Sequence, residues 1–348
     1  MPTISSTSSS DSARPEGAGG TLADEARTPL RGRAYGRAFV LAVAIICASE
    51  IALAALLPRN PARHRTDHVL TTLDSDPESR PLAVWGDSVT AGCLDGTPIA
   101  SRMHDLSSTQ AISTAGVYYT WRRLVESAGA PRVLVLVVRP ESWSNDLDQI
   151  YTHTYFETCF IRPGEIAHFA AQTGRVATTG RMLIEALFVP PSFVRRSAVR
   201  RELNRLRGAV APPHIFTRPL DGVDPETATE LARRRAHPRF RASEIAETYL
   251  PLLVRETGEK GTRLVLMTPA LPRSIADAWE ESGYMDGAQR WLADVVGDAP
   301  HVTLEAAFQF ALYRDVDMYD SDHLKPERME AYGRVLSGRL DELLADDD

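Results

Sequence analysis

From residue 81 onward the chain alternates short runs of branched apolar residues with segments of helical periodicity. Pro81–Trp85, Gln110–Ser113, Arg132–Val138, Thr262–Thr268 and His301–Leu304 read as strands. Arg132–Val138 is almost entirely valine and leucine, the composition of a strand covered on both faces. Between and after these runs, Tyr118–Ser127, Ser243–Glu256, Ile275–Val296 and Pro326–Leu344 carry helical spacing. In the last, Met329, Tyr332, Leu336, Leu340 and Leu343 form one stripe, and Pro326 suits a first helical turn. Alternating strands and helices predict an α/β fold, a three-layer sandwich around a parallel sheet. Ligands of such sheets bind beyond the C-terminal strand ends.

Two stretches depart from this rhythm. Residues 147–242 form an insertion after the third strand, helical or irregular, with Pro190-Pro191, Pro212-Pro213 and many arginines. It is expected to embellish a single domain and to wall the substrate cleft. Within it, apolar Leu183–Val194 leads into Arg195, Arg196, Arg200, Arg201, Arg205 and Arg207. A solvated helix packed by Val199, Leu203 and Leu206 accounts for this pattern, and contact with an anionic surface is the competing reading.

The other departure is N-terminal. Residues 1–37 lack apolar periodicity up to residue 26 and then carry Arg27, Arg31, Arg33 and Arg37. Ala38 to Leu57 is a nearly uninterrupted apolar run, closed by Pro58-Arg59-Asn60-Pro61. Roughly 20 such residues span a bilayer as a helix. Glu50 inside the run is a costly exception near its C-terminal end. A cleaved signal peptide is the competing reading, but the segment preceding the apolar run is long for one. The expected organisation is therefore a disordered cytoplasmic tail (1–37), a single transmembrane helix (38–57), a Pro- and Arg-rich linker (58–80) and a domain over 81–348. The flanking arginines lean toward a domain outside the cytoplasm.

Composition narrows the chemistry. The net charge of −7 gives no reason to expect nucleic acid, and three cysteines with no Cys/His cluster suggest neither a disulfide scaffold nor a metal site. No cofactor is expected. The candidate chemistry lies at opposite ends of the domain. Gly86-Asp87-Ser88-Val89-Thr90-Ala91-Gly92 follows the first strand, and Asp320-Ser321-Asp322-His323 precedes the last helix. A serine hydroxyl needs a base to take its proton, and a carboxylate to fix the tautomer of that base. Thr90 stands where the Gly-x-Ser-x-Gly elbow requires glycine, which disfavours the α/β-hydrolase arrangement.

Gly86-Asp87-Ser88 together with Asp320-x-x-His323 resembles the SGNH, or GDSL, hydrolase superfamily, over about residues 80–345. The resemblance implies a flavodoxin-like three-layer fold, with Ser88 as nucleophile, His323 as general base and acid, and Asp320 as its orienting carboxylate. Asp322 is the alternative orienter. The resemblance also places oxyanion donors at the backbone of Ser88 and of Gly116, in Thr114-Ala115-Gly116. The third family block, Gly-x-Asn-Asp, is replaced by Arg139-Pro140-Glu141-Ser142-Trp143-Ser144-Asn145-Asp146. Asn145 reaches the oxyanion only if that loop folds inward, and otherwise caps the loop. This departure, the apolar anchor and the insertion look more like the extracytoplasmic branch of the superfamily, which handles acyl groups on envelope polymers.

The implied activity is that of a membrane-anchored serine esterase or O-acyltransferase on acylated cell-envelope polysaccharide, beside a membrane-bound acyltransferase. A non-catalytic assembly subunit is the alternative. An extracytoplasmic site would permit a Cys93–Cys159 disulfide pinning the insertion near Ser88, with two buried thiols as the other possibility. His104 and His153 are read as surface or loop residues, with a place lining the cleft as the alternative, and Asp87 as bonded to local backbone.

Overall fold

The computed structural model describes residues 38–45, 48–49, 69–70, 72–74, 78–91, 93–108, 113–147, 156, 160–188, 239–305, 312–318 and 323–346. By internal contacts the chain divides into Met1–Ser49 and Glu50–Asp348. In the first unit, residues 38–45 and 48–49 are helical. Phe39, Val40, Leu41 and Ile45 there are exposed. Half of the expected transmembrane segment, residues 46–47 and 50–57, lies outside the described residues, and among those described no helix is long and apolar enough to cross a membrane.

The second unit is built on a parallel sheet of strands β1 (Leu82–Gly86), β2 (Met103–Asp105), β3 (Val133–Val137), β4 (Arg263–Met267) and β6 (Val302–Leu304). Their spatial order is β2-β1-β3-β4-β6. A minor parallel pair joins β5 (Leu271–Pro272) to β7 (Leu312–Tyr313). The helices are α1 (Thr114–Ala128), α2 (Pro140–Ser144), α3 (Ile166–Thr173), α4 (Val176–Phe188), α5 (Glu244–Glu259), α6 (Arg273–Glu281), α7 (Tyr284–Val296) and α8 (Pro326–Ala345).

Every residue of β1 and β3 is buried, because the side chains of a strand alternate between two covered faces. Ala83, Trp85, Leu134, Leu136, Leu264 and Leu266 join one core with residues of α1, α3 and α5. Leu82, Val84, Val133, Val135, Val137, Val265 and Met267 join a second core with Tyr332, Leu336, Leu340 and Leu343 of α8. Helices thus cover both faces, and each fully buried leucine of the α8 stripe contributes about 1.5–3 kcal/mol. The order also reverses at β1: β2 lies on one side of it and β3 on the other. In doubly wound sheets that reversal opens a crevice at the C-terminal strand ends.

The structure departs from expectation at three points. Of the expected strand Gln110–Ser113 only Ser113 is among the described residues, and the strand paired with Leu82–Val84 is Met103–Asp105. It is a short edge strand that includes His104 and Asp105, so its alternation is too brief to register. Ser113 instead caps α1, its hydroxyl accepting from the Gly116 N–H. The single helix expected over Ile275–Val296 is two, because Gly283 takes a left-handed φ of 70° between α6 and α7. Likewise His104 is buried, 1% exposed, and not on the surface. His153 lies outside the described residues.

The insertion leaves and re-enters the domain at one point. The Ser243 N–H donates to the Trp143 carbonyl at 2.9 Å. Arg175 bonds Asp146 at one root (2.6 and 2.7 Å) and Glu244 at the other (2.7 Å). Its described helix α3 packs on α1 and α5 through an aromatic cluster. The Tyr119 hydroxyl lies 3.0 Å from His168 Nδ1 and 3.2 Å from the Tyr249 hydroxyl. Tyr118 stacks on the His168 ring and donates to Glu256 at 2.6 Å. Residues 189–238, with the Arg195–Arg207 cluster, lie outside the described residues.

Burial and the nearby Arg122 guanidinium hold the His168 imidazole below its ordinary value. The folded state therefore favours the neutral ring, while the unfolded chain takes up a proton below about pH 6.5. This contribution to stability is complete above that pH and is lost as the pH falls through the depressed folded value. Urea unfolding of the wild type should weaken between pH 7 and pH 5 by more than that of His168→Gln. Parallel pH dependences would contradict this docking role.

Candidate active site

Ser88 lies two residues beyond the end of β1, at the reversal of strand order. The turn that carries it is held mostly by local bonds. Thr90 and Ala91 N–H donate to the Asp87 carbonyl at 3.1 and 2.9 Å, and Cys93 N–H donates to the Thr90 carbonyl at 3.1 Å. The Asp87 carboxylate accepts from the Val89 N–H at 2.9 Å, an Asx turn that commits Asp87 to local backbone. Asp87, Val89, Thr90 and Cys93 are buried, and Ser88 is only half-buried, so a rigid turn presents a reachable hydroxyl.

Gly86 is required by packing. A Cβ there would fall within 3 Å of the Thr90 side chain, so Thr90, in the position of the missing elbow glycine, occupies the space above Gly86. The second fixed point is on α8. A Cβ on Gly333 would collide with the Cys93 carbonyl oxygen, so the helix backbone touches the turn that follows Ser88. Cys93 is itself buried, with its Sγ 2.9 Å from the Thr90 carbonyl oxygen.

The histidine arrives from the other end of the chain. Met318 and Leu324 pair as an antiparallel bridge, and His323 directly precedes Leu324, ahead of α8. His323 Nε2 lies 2.9 Å from Ser88 Oγ. With the proton on Nδ1, Nε2 accepts from the serine hydroxyl, the geometry in which an imidazole can remove that proton. Asp320 and Asp322 lie outside the described residues, as does Cys159.

The other residues named from sequence fall as follows. Gly116 sits in the first turn of α1, and its N–H faces the Ser113 hydroxyl at 3.4 Å. Asn145 is the C-cap of α2, its N–H donating to the Ser142 carbonyl at 3.4 Å. After the third strand, Arg139 is buried, paired with Glu141 at 3.2 Å and lying 5.9 Å from the Trp279 ring centroid. Among the described residues no group of His, Cys, Asp and Glu side chains is placed to hold a metal ion.

No family model matches the chain, and no curated protein does. Among solved structures, one described as a candidate platelet activating factor from Streptococcus pneumonia matches at a TM-score of 0.36 and 9% identity. That match spans 86% of this chain and 99% of the other. At that score the likeness carries no argument.

Sequence reasoning missed Gly333. Gly333 left a signal: glycine inside a strong helical pattern costs about 1 kcal/mol relative to alanine, and often marks a close approach. Gly333→Ala should cost about 1–3 kcal/mol as the helix is pushed off the Cys93 carbonyl. Urea unfolding measures this, with the exposed-face Gly338→Ala as the control, since nothing lies within 4 Å of a Cβ there.

Proposed function

We propose that this protein is a serine-dependent esterase or O-acyltransferase of the SGNH type. The observation that supports this most strongly is the 2.9 Å contact between Ser88 Oγ and His323 Nε2 at the C-terminal edge of a parallel sheet. In the proposed cycle Ser88 Oγ attacks the ester carbonyl while its proton passes to His323 Nε2. The tetrahedral intermediate collapses, the proton passes to the leaving oxygen, and acyl-Ser88 remains. Water or a sugar hydroxyl, deprotonated by His323, then takes the acyl group, so hydrolysis and transfer share the first half.

Asp320 is assigned as the carboxylate that fixes the imidazole, by the spacing of the C-terminal block. The Ser88 N–H is the first oxyanion donor in this proposal. Gly116 is a weaker assignment, since its N–H is directed at the Ser113 hydroxyl, and Asn145 donates from its side chain only if its loop folds inward. Acylated envelope polysaccharide is the proposed substrate, with the domain tethered outside the cytoplasm by residues 38–57. The support for that tether is the apolar run itself and the exposure of Phe39, Val40 and Leu41 within it. A partner acyltransferase in the membrane would supply acyl groups for transfer. The alternative of a non-catalytic assembly subunit is disfavoured by a nucleophile and a base in contact.

A fluorophosphonate probe tests the reading. The full-length protein should label stoichiometrically at Ser88, Ser88→Ala should not label, and His323→Gln should label at least about 10³-fold more slowly. Absence of wild-type labelling, or equal labelling of Ser88→Ala, would overturn it. Incubation with an acetylated glycan then separates free acetate from acetate transferred to a second sugar.

A further inference from the structure

His323 is half-buried and directly precedes Leu324 of the Met318–Leu324 bridge, so burial of its own ring does not fix the imidazole to a fraction of an ångström. The described residues on either side of it show where support comes from. The Asp317 carboxylate is 11% exposed and accepts three hydrogen bonds from two arginines. Arg314 donates from Nε at 3.0 Å and from Nη2 at 3.3 Å, and Arg328 donates from Nε at 2.9 Å. Arg314 precedes the loop, and Arg328 lies in the first turn of α8 beyond it. The Asp317 carbonyl also accepts from the Lys325 N–H at 3.0 Å, beside the Met318–Leu324 bridge. One aspartate therefore joins the incoming strand, the bridge at the loop's base and the helix that Gly333 locks onto the Ser88 turn.

We propose that Asp317 is a positioning residue for His323: it clamps the base of the histidine loop to α8 and so sets the distance from Nε2 to Ser88 Oγ. This rests on the catalytic reading above and adds a residue to it. An ordinary surface ion pair contributes little, and Arg314 and Arg328 are both substantially exposed. The Asp317 carboxylate differs in being buried, in taking donors from both sides of the loop, and in lying on a segment with independent backbone pairing. Its two guanidinium partners, Arg314 first, hold the carboxyl below the usual carboxylate range. The clamp is thus fully charged at neutral pH.

The test uses the full-length protein and the variants Asp317→Asn, Asp317→Glu and Arg328→Gln. Rates of fluorophosphonate labelling and of p-nitrophenyl acetate turnover are normalised to the folded fraction by circular dichroism. Misplacement of a reacting group by about 1 Å can cost on the order of 100-fold. Asp317→Asn is expected to lower kcat and the labelling rate 10- to 100-fold with KM unchanged. Asp317→Glu should recover part of the loss, and Arg328→Gln should fall between. Asp317→Asn that labels and turns over at the wild-type rate per folded molecule overturns the proposal, as does a loss that vanishes on normalisation. Should Asp317→Asn fail to fold, Arg314→Gln and Arg328→Gln carry the same expectations and the same overturning result.

Selective ¹⁵N labelling of histidine gives a readout independent of activity. The ring nitrogen signals of His323, assigned with His323→Gln, are expected to shift in Asp317→Asn while those of His168 stay in place. Unchanged His323 signals overturn the clamp even if the wild type proves to be an esterase. Shifted signals in a protein that does not label sustain the clamp and overturn the esterase reading alone.

Discussion

The contact of α8 with the turn after Ser88 is the constraint on which the candidate site depends. Ser88 and His323 are separated by 235 residues, and neither end of that span fixes the other by sequence proximity. What joins them is backbone against backbone: Gly333 against the Cys93 carbonyl, with Tyr332 and Leu336 buried beside it in the same core as Val89 and Cys93. Because protein interiors are close-packed, a helix seated this way has little freedom to slide. His323, ahead of the first turn of α8, inherits that position. The hydrogen bond to Ser88 is therefore a consequence of helix-on-turn packing, and the bond itself contributes little to holding the two ends together.

Much of this was legible in the chain, for identifiable reasons. Strands β1, β3 and β4 are continuous apolar runs because helices cover both their faces, and such runs stand out from any loop. The α8 stripe stood out because its one apolar face packs against the sheet. The strand Met103–Asp105 went unread because it is a short edge strand with a polar half. Gly283 was read through as part of a helix because its left-handed conformation is a property of φ, which leaves no mark on apolar spacing. Asp317 passed unnoticed beside Asp320 and Asp322. An acidic run looks alike at every position until the fold decides which carboxylate is buried against arginine.

The serine and the histidine were found by a different route, as residue types that perform one chemistry only when together. Their convergence depends on topology. Strand β1 sits where the connections leave in opposite directions, so its C-terminal end opens on a crevice, whereas a strand deeper in one half of the sheet would be roofed by a crossover. Ser88 is thus placed by strand order before any local feature refines it. Locally, Gly86, Thr90 and the Asp87 Asx turn then fix the backbone that presents the hydroxyl.

Rigidity in this unit runs outward from the sheet to the chemistry. The residues that hold the Ser88 turn are buried, while Ser88 and His323 are each only half-buried. That division has a physical logic. A reacting side chain must meet substrate, so it cannot be held by burial of its own surface, and its order must come from the buried neighbours that determine its backbone. On the serine side those neighbours are Gly86, Asp87 and Thr90; on the histidine side they are Asp317, the Met318–Leu324 bridge and Gly333. The two supports differ in kind, one built from a tight turn on a central strand and the other from a charged clamp on a loop. Packing at a sheet edge is insensitive to pH and salt, whereas a carboxylate shared by two exposed arginines responds to both. The histidine side is therefore where solution conditions act first on the geometry of the site.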